Sequence, residues 1–71
     1  MSTQKEIGSK IKKIREEKKN ISQKELANLT NLDATYISKI EAGKKNITID
    51  TLSAICSALG ISLKEFFNTD I

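Results

Sequence analysis

Apolar residues return along this chain at the spacing of a helix and nowhere alternate for long with period two, so the pattern predicts helices throughout. Ile7, Ile11 and Ile14 fall at i, i+4 and i+7, one narrow stripe for the inner face of a first helix. Thr3 and Glu6 have the spacing of a capping box, and Lys18-Lys19-Asn20 ends the helix with cations at the negative end of its dipole. Ser22 and Glu25 form a second capping box, opening a short helix through Leu26, Ala27 and Leu29. The interruption Thr30-Asn31-Leu32 places a turn on Asn31, the residue there that tolerates a left-handed backbone. Asp33 caps a third helix that carries Ile37 and Ile40 inward and stops at Gly43. Thr48 caps a fourth, with Leu52, Ile55, Cys56 and Leu59 on one face and Gly60 at its end. Ser62 and Glu65, a third capping box, begin a last short helix of Leu63, Phe66 and Phe67. The expected fold is all-α: five short helices, one domain over residues 1–71, with no linker or repeat.

Composition narrows what such a bundle can do. The chain has no histidine, which removes the usual nucleophilic triads and leaves no plausible set of zinc ligands. It has no cofactor motif and no glycine-rich phosphate loop, so an enzyme is not expected, and neither is a metal, a cofactor or a small-molecule ligand. The N-terminus is polar and no apolar run approaches a membrane span, while the single Cys56 suits a reducing cytoplasm. In the inner stripe of the fourth helix, Cys56 reads as a buried, inert thiol. Net charge is only +3, but residues 1–46 hold eleven of the twelve bases against six of the nine acids, a net of +5. The remaining residues come to −2, so the front of the chain suits an anionic partner. On charge alone an ordinary solvated lysine surface explains this equally well.

The segment Gln23–Gly43 decides between them. It is two helices joined by a turn too short for antiparallel packing, with a small Ala27 where they must cross, which is the pattern of a helix-turn-helix. Thr35, Ser38, Lys39 and Ala42 then form an outward stripe at i, i+3, i+4 and i+7 on a helix that can enter a major groove. From about Glu6 to Phe67 the chain resembles the Cro/lambda-repressor family. The resemblance is carried by Ile11 and Arg15, the Ser22-Gln23-x-x-Leu26-Ala27 entry, and Tyr36-Ile37-Ser38-x-Ile40-Glu41-x-Gly43. Within that family it is similar to the short controller proteins of restriction–modification systems, through Asp33-x-Thr35-Tyr36-Ile37-Ser38, Lys45-Asn46 and the terminal Leu63-x-x-Phe66-Phe67.

The resemblance implies a sequence-specific transcriptional regulator of double-stranded DNA, a homodimer on an inverted-repeat operator. By it, Gln23 meets a backbone phosphate, though a plain first-turn residue would look the same. Thr35, Ser38 and Lys39, with Ala34 beside them, read base edges, an ordinary solvated face being the alternative. Tyr36 covers the core edge and turns its hydroxyl to phosphate, pure packing being the alternative. Lys44, Lys45 and Asn46 grip phosphate, unless they are merely solvated. Arg15 and Glu41 form an ion pair holding the third helix against the first. Leu63, Phe66 and Phe67 supply the dimer contact, since adjacent aromatics point about 100° apart and only one can fill the core. A rival of another class is an antitoxin-type interaction module that binds a partner protein as well as DNA. Three departures from the controller pattern stand out: Ala34 replaces a frequent arginine, Asn31 replaces the turn glycine, and the Lys19–Ile21 loop is one residue longer, which re-sets the first helix.

Overall fold

The computed structural model describes residues 3–68, and in it the helices follow the apolar periods closely. They are α1 (Thr3–Lys13, continued by a π-helical stretch Ile14–Lys19), α2 (Gln23–Thr30), α3 (Ala34–Glu41), α4 (Ile49–Ala58) and α5 (Leu63–Asn68). Four of the starts are fixed by side chains the sequence supplies. Ser22 Oγ accepts from the Glu25 N–H at 3.0 Å while Glu25 Oε1 accepts from the Ser22 N–H at 2.9 Å. Ser62 and Glu65 repeat this at 3.0 Å in both directions. Thr48 accepts from the Thr51 N–H at 3.1 Å, and Asp33 from the Thr35 N–H at 3.3 Å. Each bond satisfies an N–H that a helix start leaves without a partner. The capping box expected of Thr3 and Glu6 is corrected: Thr3 is itself helical, so it cannot be the residue flanking the helix.

The first helix is not α-helical to its end: its last turn widens to π geometry over Ile14–Lys19. One extra residue per turn is what a π-bulge accommodates. Ile14 and its neighbour Arg15 are both buried there. Asn20 then closes the helix in the left-handed region, at φ 52°, and the N–H groups of Asn20 and Ile21 both turn back to the Arg15 carbonyl. Asn31, at φ 60°, ends α2 in the same way.

All five helices feed one core: Ile11 and Ile14, Leu26 and Ala27, Ile37 and Ile40, Leu52, Ile55, Cys56 and Leu59, and Phe66. Phe66 is 1% exposed, whereas Phe67 keeps 55% of its surface in solvent, so the two adjacent aromatics divide as their angular separation requires. The rings meet edge to face, 5.3 Å apart. Lys10 Nζ donates to the Phe66 carbonyl at 2.9 Å and lies 5.4 Å from its ring centre, tying α5 to α1. Leu29, though in register with Leu26, remains exposed. Ile7 is only half-buried at the margin of the core.

The crossing of α1 on α3 rests on Gly8. A Cβ there would fall inside the carbonyl oxygen of Ile40 and lie 3.0 Å from that of Glu41. Only a residue without a side chain lets the two backbones approach this closely.

Candidate nucleic-acid interface

The buried and exposed sides of α3 are sharply divided. Ile37, Ile40 and Glu41 are buried, while Thr35, Ser38 and Lys39, with Ala42 just past the helix, stand in solvent on one stripe. Ala34 and Tyr36 are half-buried and pack against the core, so Ala34 turns its methyl toward the protein. The helix ends in a Schellman motif: the Gly43 N–H bonds to the Ile40 carbonyl at 3.0 Å and the Lys44 N–H to the Lys39 carbonyl at 2.9 Å. Gly43 takes φ 74° to make this turn, which sends Lys44, Lys45 and Asn46 out as an exposed loop directly beyond the stripe. Hydroxyls and an ammonium are therefore presented from a rigid helix, and two further ammonium groups and an amide from the loop that follows it.

What fixes the tilt of α3 is a buried ionic cluster. Arg15 Nε and Nη2 donate to the two carboxylate oxygens of Glu41 at 2.7 and 2.8 Å, a planar bidentate pair. Arg15 Nη1 donates to the Ile21 carbonyl at 2.8 Å. Gln23 Nε2 adds a third donor to Glu41, reaching Oε1 at 3.0 Å. The Glu41 hydrogen bond, opposed by burial, holds the Arg15 guanidinium above its already high ordinary range. A base with a raised pKa contributes its stability at every pH below its ordinary value, so Arg15 stays charged throughout the neutral range. Glu41 is the acid at the end of α3, and because Arg15 pairs with it, it does not present a bare negative charge near the stripe.

Sequence reasoning missed parts of this. Gln23, expected to meet a backbone phosphate or to be a plain first-turn residue, also donates through Nε2 to Glu41. Gly8 belongs to none of the motifs the sequence offers. A lone glycine inside the isoleucine stripe was the available signal for Gly8, since glycine costs a helix interior about 1 kcal/mol relative to alanine and needs a packing reason. Among the described residues no group of His, Cys, Asp or Glu is placed to hold a metal ion, and no helix is long and apolar enough to cross a membrane.

Comparison with known proteins matches residues 11–66 to a family described as Helix-turn-helix. Control protein C.MunI of a Mycoplasma species is 46% identical over 62 residues, covering 87% of this chain and 84% of the relative. Control protein C.BamHI of Bacillus amyloliquefaciens is 41% identical over 62 residues, covering 87% and 76%. Among solved structures, the restriction–modification controller protein C.Esp1396I, a tetramer in complex with its natural 35 base-pair operator, superposes with a TM-score of 0.83. It is 42% identical, over 90% of this chain and 83% of that one.

Proposed function

We propose that this chain, which belongs to the helix-turn-helix family, is the controller protein of a restriction–modification system: a sequence-specific DNA-binding regulator of transcription, not an enzyme. The observation that carries the reading is the division of α3. A stripe of Thr35, Ser38 and Lys39 is held in solvent on a helix whose other side is locked by Arg15, Glu41 and Gln23. The stripe reads base edges in a major groove, Thr35 through its hydroxyl and methyl, Ser38 through its hydroxyl and Lys39 toward guanine acceptors. Ala34 adds no polar group, so the arginine contact frequent in controllers is absent here. Lys44, Lys45 and Asn46 grip phosphate, Tyr36 turns its hydroxyl toward the backbone, and Gln23 keeps a second amide hydrogen for phosphate beside its bond to Glu41. Acting on double-stranded DNA, the regulator is read here as a cytoplasmic protein.

Reading and gripping separate experimentally. Lys39→Ala is expected to cost roughly 1–3 kcal/mol on the best operator and to flatten preference at one base position. Lys45→Ala is expected to weaken operator and scrambled duplex alike and to lower the salt slope by about one unit. Titrations of both variants at several salt concentrations supply the comparison. A uniform loss for Lys39→Ala together with altered base preference for Lys45→Ala would make the loop the reader.

The exposed ring of Phe67 supports a homodimer, with Leu63 beside it and Phe66 behind it anchoring α5 from the core. Two copies related by a two-fold axis present two α3 helices to an inverted repeat, with half-site centres about 34 Å apart. Phe67→Asp should leave a folded monomer in sedimentation equilibrium where the unaltered protein is a dimer at micromolar concentration. A wild type that is monomeric there would remove the dimer from the account.

A further inference from the structure

We infer that Gln4, at the start of α1, is a positioning residue for the phosphate grip, orienting the Asn46 amide from outside the helix-turn-helix. The inference rests on the reading of Asn46 given above. Two separate contacts bring the first turn of α1 over the loop that follows α3. Gly43 lies so near Lys5 that a Cβ on it would stand 2.9 Å from the Lys5 Cα, so α1 backbone covers the loop at its first residue. Three residues further on, Gln4 Nε2 donates to Asn46 Oδ1. Gln4 is half-buried and Asn46 exposed, so the bond is made at the edge of the surface rather than within the core.

The direction of that bond matters. An asparagine amide has one accepting end and one donating end, and phosphate oxygens only accept. With Oδ1 held by Gln4, the Nδ2 hydrogens are the end left for phosphate, and the amide is fixed before DNA arrives. Free rotation would present the wrong end part of the time and would have to be arrested on binding. Gln4 thus acts through Asn46, and neither side chain carries charge. Their contribution should therefore leave the salt dependence of binding untouched, unlike that of Lys44 and Lys45.

The test is a double-mutant cycle with Gln4→Met and Asn46→Ala, titrated on operator and scrambled duplex over a range of salt. Each single variant should lose about three- to tenfold in affinity on both duplexes, with the wild-type salt slope and an unchanged melting temperature. Gln4→Met should cost nothing further in the Asn46→Ala background. If Asn46→Ala loses affinity but Gln4→Met is silent, or the two losses multiply, Gln4 does not orient the amide and the phosphate grip of Asn46 stands without it. A lowered melting point or an altered slope in Gln4→Met makes its role structural and overturns the inference. Full affinity in Asn46→Ala removes the grip assigned to that residue and the inference with it.

Discussion

Glu41→Ala should lower the stability of this protein by roughly 3–5 kcal/mol, a large share of the 5–15 kcal/mol that small domains have in total. Glu41 has a side chain only 2% exposed, and its two oxygens take three hydrogen bonds. Removing it leaves the Arg15 guanidinium, 7% exposed, with the Ile21 carbonyl and a 3.6 Å approach to Glu16, whose side chain is half in water. A buried charge without its counterion accounts for most of the loss, and the stranded Gln23 amide for some of it. The converse experiment separates stability from geometry. Arg15→Met with Glu41→Leu removes both charges at once and should fold with near-normal stability, because apolar replacement of a buried pair is often neutral. That double variant should still bind operator more weakly, since α3 has lost the bidentate bond that sets its angle. Chemical denaturation and operator titration of the two variants give both results; an Glu41→Ala protein as stable as wild type would show that the pair contributes little.

The second large effect is expected at Gly8. Alanine is the better helix former by about 1 kcal/mol, so propensity alone predicts that Gly8→Ala stabilises α1. The structure predicts the opposite sign. The new methyl would overlap the Ile40 carbonyl oxygen, a backbone atom that cannot rotate aside as a side chain could. Over-packing of this kind costs about 1–3 kcal/mol, and a backbone clash stands at the upper end, so a net loss of roughly 2 kcal/mol remains after the propensity gain. For a domain of this size that corresponds to a fall in melting temperature of about 8–16 °C. Ser9→Ala, at the exposed neighbouring position, should change stability by less than about 0.5 kcal/mol. Equal melting temperatures for Gly8→Ala and Ser9→Ala would mean that α1 and α3 do not depend on this close approach.

These two positions show where the sequence was legible and where it was not. Local chemistry was readable because its signals lie within a few residues. Ser22, Asp33, Thr48 and Ser62 cap the helices at the predicted places, Asn31 takes the left-handed turn, and Phe66 and Phe67 point apart as helical geometry demands. What stayed hidden depends on contacts between distant segments. Gly8 meets α3 across 32 residues of chain, Gln4 meets Asn46 across 42, and Gln23 reaches Glu41 across 18. The π turn over Ile14–Lys19 was not visible either, for it has no local signature; within it Ile14 is buried in the core and Arg15 reaches Glu41. Thr3 misled because a capping-box spacing also occurs inside a helix.

We propose that α3, held by α1 and followed by a basic loop, recognises a defined DNA sequence as one half of a symmetric pair. Selection of binding sites from a random duplex library, with footprinting of the recovered sites, tests it most directly. The recovered site should be an approximate inverted repeat whose half-site centres lie about one helical turn, roughly 34 Å, apart, bound at least ~10³-fold more tightly than bulk DNA at physiological salt. Recovery of no sequence above background, with binding that follows salt concentration alone, would contradict it.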